Sequence, residues 1–186
     1  MATSAWNYES AFEDFLGRRG IPFVAVDQAH KAAFAGVRLK SFDYIVYPAK
    51  GPALLADVKG RKLGGRTGRL PGQTWATVED IEGLGQWEAV FGQGYMGVFV
   101  FAYWLAGDGQ AEGADLHRFE GRLYSFWVAE LAGYRTCMKP RSAAWQTVYV
   151  PRRLFRHWAL PFDRYLGVRP SRGRESGCDR PLGPFR

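Results

Sequence analysis

Twelve residues from Tyr95 to Ala106 (Tyr-Met-Gly-Val-Phe-Val-Phe-Ala-Tyr-Trp-Leu-Ala) carry no charge. A run of this length cannot cross a bilayer, which takes about 20 apolar residues in a helix. It is rich in β-branched and aromatic side chains and does not alternate with polar ones. It therefore reads as a strand at a central position, covered on both faces. Helical and extended stretches precede and follow it, so the fold class is α/β. A chain of 186 residues with a 47% apolar share is long enough to bury such a core as a single domain.

The stretch from Trp6 to Arg19 has helical period, with Tyr8, Phe12, Phe15 and Leu16 on one stripe and Ser4 placed to cap it. Glu9 and Glu13 lie one turn apart on its flank. Gly20 ends this helix and Pro22 prevents its resumption. Pro22 to Asp27 is a first strand and Ser41 to Pro48 a second. The turn Pro48 to Pro52 leads into Ala53 to Lys59, which returns beside Ser41 to Pro48 as a hairpin. Gly60 to Gly72 is rich in Gly, Arg and Lys without periodicity and reads as a mobile basic loop. A second helix starts at Thr77, its N-cap, with Ile81, Leu84, Trp87 and Phe91 at helical spacing.

Beyond the central run, Gly107 to Gly121 is a turn-rich connection and Arg122 to Leu131 another strand. Tyr134 to Trp145 reads as an aromatic and basic insertion or hairpin, and Thr147 to Val150 as a short strand. Pro151 opens a last helix. From Gly167 onward Gly, Pro and Arg dominate. The expected organisation is one domain over 1–166 and a disordered basic tail over 167–186.

Within the hairpin, Ala53 to Lys62 is an apolar run that ends in Asp57, Val58 and Lys59. Alternate side chains of a strand share a face, so Asp57 and Lys59 point the same way. Alone, such a triplet is the ordinary signature of a salt bridge at a strand end. Its company changes the reading, because the hairpin brings Asp43 beside Asp57 and Lys59. Paired carboxylates are hard oxygen ligands for Mg²⁺, and an adjacent lysine can orient or deprotonate a water for attack on a phosphodiester.

The formal net charge of +7 favours a polyanionic partner. Arg61, Lys62, Arg66 and Arg69 are placed to contact phosphates beside the acidic site. Trp75, Tyr134 and Trp145 are candidates for stacking on exposed bases, although aromatics this frequent are more often core. Cys137 and Cys178 lack the spacing of a zinc site and read as free thiols of a reducing compartment. No secretory signal pattern opens the chain, and the expected location is the cytoplasm, with no membrane association. No G-x-S-x-G occurs and Cys137 has no evident activating His, which argues against serine or cysteine hydrolase chemistry.

The order helix with Glu, strand, strand with Asp, strand with Asp-x-Lys, helix, strand resembles the PD-(D/E)xK nuclease superfamily over residues 6–105. Within it, the chain is most similar to archaeal-type Holliday junction resolvases and their uncharacterised bacterial relatives. The resemblance implies a restriction-endonuclease-like mixed central sheet flanked by helices, and a DNA endonuclease dependent on Mg²⁺, with Mn²⁺ as substitute. Its substrate would be branched or duplex DNA, and its assembly a homodimer.

Carried over by residue, Asp43, Asp57 and the Val58 carbonyl would hold the metal, with Glu9 contributing directly or through a water. Lys59 is the motif lysine, and Gln86 resembles a glutamine of the following helix. Phe42 stands where the motif's proline would be, and Glu13 competes with Glu9 for the helix position. Two other readings stay open at this stage. One is a catalytically silent nucleic-acid-binding module on the same fold. The other is a structural ion-pair cluster in an unrelated α/β protein.

Overall fold

The computed structural model describes residues 7–26, 40–64, 70–106 and 116–167, together with the backbone of 33–34 and 37–38. The expected tail, Ser4, Arg66 and Arg69 lie outside the described residues. Helix α1 (Tyr8–Arg18) begins at Asn7, whose side chain accepts from the Ser10 N–H at 3.2 Å. The cap is thus Asn7, three residues beyond Ser4. Gly20, at φ +63°, turns the chain out of the helix, a backbone state that glycine adopts without strain.

The chain continues through β1 (Phe23–Ala25), the small pair β2 (Ala33–Phe34) and β3 (Val37–Arg38), β4 (Tyr44–Val46) and β5 (Ala53–Gly64). Next come β6 (Trp75–Thr77), α2 (Val78–Phe91), β7 (Tyr95–Ala106), β8 (His117–Phe119) and β9 (Arg122–Glu130). The last elements are α3 (Leu131–Cys137), β10 (Lys139–Ser142), β11 (Thr147–Tyr149), α4 (Arg152–Trp158), β12 (Leu160–Pro161) and α5 (Phe162–Gly167).

Seven strands form the main sheet in the order β1-β4-β5-β7-β9-β12, with β8 on β9. The β5–β7 pair is parallel and the others are antiparallel, which makes the sheet mixed. The uncharged run Tyr95–Ala106 is β7, and it is covered on both faces. Val98, Val100 and Ala102 pack with Phe12, Phe15 and Leu16 of α1. Phe99, Phe101 and Tyr103 pack with Ile81 and Leu84 of α2, Tyr134 of α3 and Phe155 of α4. A central mixed sheet between helices is therefore the observed architecture. A second sheet, β10-β11-β6, lies on the α2 side, where the buried Ala76 and Val148 join the core.

Three expectations need correction. Residues 60–64 are not loop, because β5 runs on to Gly64 in parallel register with β7. The apolar β7 offers a full-length partner, and pairing with it outweighs the glycines of that stretch. The segment after Arg122–Glu130 is helical before it becomes a hairpin, since Leu131, Tyr134 and Cys137 bury one face of α3. Cys137 is disulfide-bonded and is not a free thiol.

Helix α1 approaches β5 closely enough that a Cβ on Gly60 would overlap the Tyr8 ring. Gly60→Ala is expected to cost on the order of 2 kcal/mol through overpacking. The corresponding fall in Tm, roughly 4–8 °C by calorimetry, measures how tightly the helix is seated. An unchanged Tm would mean that Tyr8 swings away freely.

Candidate active site

Alternation along β5 turns Leu54, Ala56 and Val58 toward α1 and Leu55 toward α2. Asp57 and Lys59 share the α2 side with Leu55. Asp57 is 6% exposed, and its Oδ1 lies 2.8 Å from Lys59 Nζ. On the neighbouring strand Tyr44 is in register with Ala56, and Asp43 immediately precedes that pair, beside the stretch that carries Asp57. The Asp43 N–H donates to the Ala56 carbonyl at 2.9 Å. Its Oδ2 accepts from the Val58 N–H at 2.6 Å, which ties the carboxylate to the backbone between Asp57 and Lys59. Asp43 is itself buried, so two carboxylates lie on neighbouring strands out of water. Like charges in this arrangement repel.

The fourth member of the cluster, Asp80, comes from the first turn of α2. It forms a capping box with Thr77: the Asp80 N–H donates to Thr77 Oγ1 at 3.0 Å, and the Thr77 N–H to Asp80 Oδ2 at 2.8 Å. The other oxygen, Oδ1, lies 3.1 Å from Lys59 Nζ and 2.5 Å from Lys40 Nζ. Lys59 is thus held between Asp57 on its own strand and Asp80 on the helix. The sequence signal for Asp80 is the Thr-x-x-Asp pattern that starts the helix after the motif, legible as a cap but not as a partner of Lys59.

The two aspartates respond to this setting in opposite directions. Burial pushes Asp57 up to about 7; Asp43 and Asp80 add to the rise and Lys59 opposes it. Burial also acts to raise Asp80, but Lys59, Lys40 and Thr77 outweigh it and hold the group down at about 2.

Glu9 sits exposed near the start of α1, and its carboxyl is raised by partial desolvation and by the charges of Asp43 and Glu13. Glu13 is engaged elsewhere, with Oε1 accepting from the Tyr44 hydroxyl at 2.9 Å. Among the described residues no three His, Cys, Asp or Glu are gathered closely enough to hold a metal by themselves.

Gln86 does not join the cluster. It is exposed on α2, six residues beyond Asp80 and about 9 Å further along the axis. Arg61 is no mobile phosphate ligand either. Its guanidinium donates to the carbonyls of Gly60 and Trp75 and stacks 3.8 Å from the centre of the Trp75 ring. Burial lowers its pKa to about 10. Lys62, on the opposite side of β5, is exposed with its ammonium 4.7 Å over Trp104. Tyr134 is core, its hydroxyl donating to the Thr74 carbonyl at 2.6 Å.

The fold is similar to that of Hjc, a Holliday junction resolvase from the archaeal hyperthermophile Archaeoglobus fulgidus. That structure aligns with a TM-score of 0.51 over 88% of this chain and 100% of that one, at 14% sequence identity. No family model matches the chain. No curated protein matches it either.

Proposed function

We propose that this chain is a metal-dependent DNA nuclease that hydrolyses phosphodiester bonds and prefers branched DNA. The observation that carries the reading is the buried pair Asp43 and Asp57, brought close by the Val58 N–H that donates to Asp43, with Lys59 two residues beyond Asp57 on the same strand. Folding gains nothing from crowding two acids in this way. The arrangement makes sense as a site kept ready for a cation. The similarity in fold to a Holliday junction resolvase supports the choice of substrate.

The donor set suits Mg²⁺, which takes hard oxygen ligands and commonly uses one or two carboxylates while keeping several waters. Asp43 and Asp57 would hold the ion, with the Val58 carbonyl and Glu9 completing the shell directly or through water. A bound Mg²⁺ supplies positive charge at the scissile phosphate and lowers the pKa of a coordinated water. Lys59 directs its ammonium at the attacking water or the phosphate and offsets charge that builds in the transition state. Asp80 and Asp57 fix that ammonium in place. Asp80 is a positioning residue, acting through Lys59 without touching the substrate.

One observation favours a second reading, a catalytically silent nucleic-acid-binding module. Among the described residues the acids do not form a three-membered ligand cluster, and Lys59 is satisfied by carboxylates. Cleavage of labelled four-way junction, flap, duplex and single-stranded DNA separates the two. With Mg²⁺ or Mn²⁺ the branched substrates are expected to be cut and the products to vanish when EDTA is added. Paired symmetric cuts in a junction need two sites, so the reading includes a homodimer. If every substrate binds and none is cut with either metal, the silent module is the correct description.

A further inference from the structure

Hairpin β10–β11 contributes no side chain to the acidic cluster, yet its backbone is tied to it. Gln146, in the hairpin turn at φ +42°, accepts at its carbonyl from the Val78 N–H at 2.9 Å. Val78 opens α2, two residues before Asp80. Next to Gln146 stands Trp145, 78% exposed, its N–H donating to Ser142 Oγ at 3.3 Å. An indole presented to water at the tip of a pinned turn is a poor use of apolar surface unless something covers it.

The chemistry around that indole narrows the choice of cover. Residues 138–149 contain Lys139 and Arg141, both exposed, and no acid. Lys139, Tyr149 and Trp75 lie in one cross-strand row, on the face opposite the buried Val148 and Ala76. The Arg141 guanidinium sits 5.0 Å from the Trp75 ring, which Arg61 flanks as well. The other exposed side chains of the turn are Ala143, Ala144 and Gln146, too small to cover the indole. An exposed ring on the same hairpin as two exposed cations matches a nucleic-acid strand, in which each base has a π-face and each link a negative charge.

We propose that this hairpin reads unstacked bases. Trp145 stacks on a base left open where a duplex frays or branches, and Lys139 and Arg141 hold the adjoining phosphates. An intact duplex keeps its bases stacked and gives Trp145 nothing to cover, so the hairpin selects DNA by structure and not by sequence. The inference rests on the nucleic-acid reading above and adds a residue that sets the preferred substrate.

Binding of the full chain is measured in EDTA by fluorescence anisotropy, with labelled single strands, a forked duplex with unpaired arms, and a dumbbell duplex closed by non-nucleotide ethylene-glycol linkers. Trp145→Ala is expected to weaken binding to the fork and the single strand roughly tenfold or more while leaving the dumbbell unchanged. Trp145→Phe retains most of the selectivity, and 2-aminopurine in an unpaired arm is quenched by the wild type but not by Trp145→Ala. Because Trp145 is exposed, both variants keep the fold, and calorimetry verifies it. Equal effects on all three substrates, or none, would overturn this inference while leaving the nuclease reading intact. A changed sedimentation coefficient with unchanged DNA affinity marks Trp145 as a protein contact and overturns it too. If the wild type binds no DNA at all, both readings fall together.

Discussion

Asp57→Asn is expected to abolish cleavage and, in the same protein, to raise Tm. On the proposed nuclease function the loss of rate should be on the order of 10³ or more, because the variant removes a carboxylate that would hold the metal. The gain in stability follows from the crowding of Asp57. Its folded pKa, pushed up to about 7 first by burial and then by Asp43 and Asp80, lies above the unfolded value of about 3.9. Protonation of Asp57 therefore favours the fold. That contribution is full below about pH 4 and is lost as pH rises through about 7.

At pH 8 the wild type carries an ionised Asp57 at a cost that Asn does not incur, on the order of 2 kcal/mol. Calorimetry in EDTA should show Tm higher by roughly 4–8 °C at pH 8, with the difference shrinking toward pH 5. A structural ion-pair cluster predicts the reverse. There Asp57 would stabilise Lys59, and its loss would lower Tm at every pH.

Asp80→Asn should move stability the other way and by more. Asp80 is held at about 2 because, despite burial, Lys59, Lys40 and Thr77 all favour its charge. Its contribution is present above the unfolded pKa near 3.9 and is lost only as pH falls toward 2. Neutralising it leaves the largely buried Lys59 with one partner and strips Lys40 of its closest one. The expected cost is on the order of 3 kcal/mol, or roughly 6–12 °C in Tm, and is larger at pH 5, where Asp57 is protonated, than at pH 8. Cleavage by the folded fraction should fall as well, in kcat more than in KM, because Lys59 loses one of the two carboxylates that hold its ammonium. A Tm within about 1 °C of wild type would show that the Lys59–Asp80 pair contributes little, as exposed pairs do.

These opposed signs mark how far the sequence could be read. Asp43, Asp57 and Lys59 were legible because strand alternation and hairpin return are local rules, and they bring those residues together without any knowledge of the rest. The central position of β7 was legible for a similar reason, since an uncharged run has only one place in a mixed sheet. Asp80 was visible only as a cap: its second role depends on where α2 lands on the sheet, a long-range fact that no local pattern carries. The continuation of β5 through Gly64 was hidden as well. Glycine and arginine suggest loop until the partner strand is known. The same holds for the aromatics, whose composition is uniform but whose fates differ. Tyr134 is core, Trp75 lies against two guanidiniums, and Trp145 stands open.

The parallel pairing of β5 with β7 has a bearing on synthesis. Ala53 is bonded beside Tyr95 and Gly64 beside Ala106, so the strand carrying Asp57 and Lys59 leaves the ribosome with one neighbour and waits for the other until α2 has been made. At roughly 5–20 residues per second the wait lasts a few seconds. During it the two acids sit on an unsupported hairpin, and Lys59 has no helix partner to hold it. A nascent chain halted before β7 lacks the strand against which β5 completes its pairing, so the assembled acidic cluster is a property of the finished sheet and not of the growing chain.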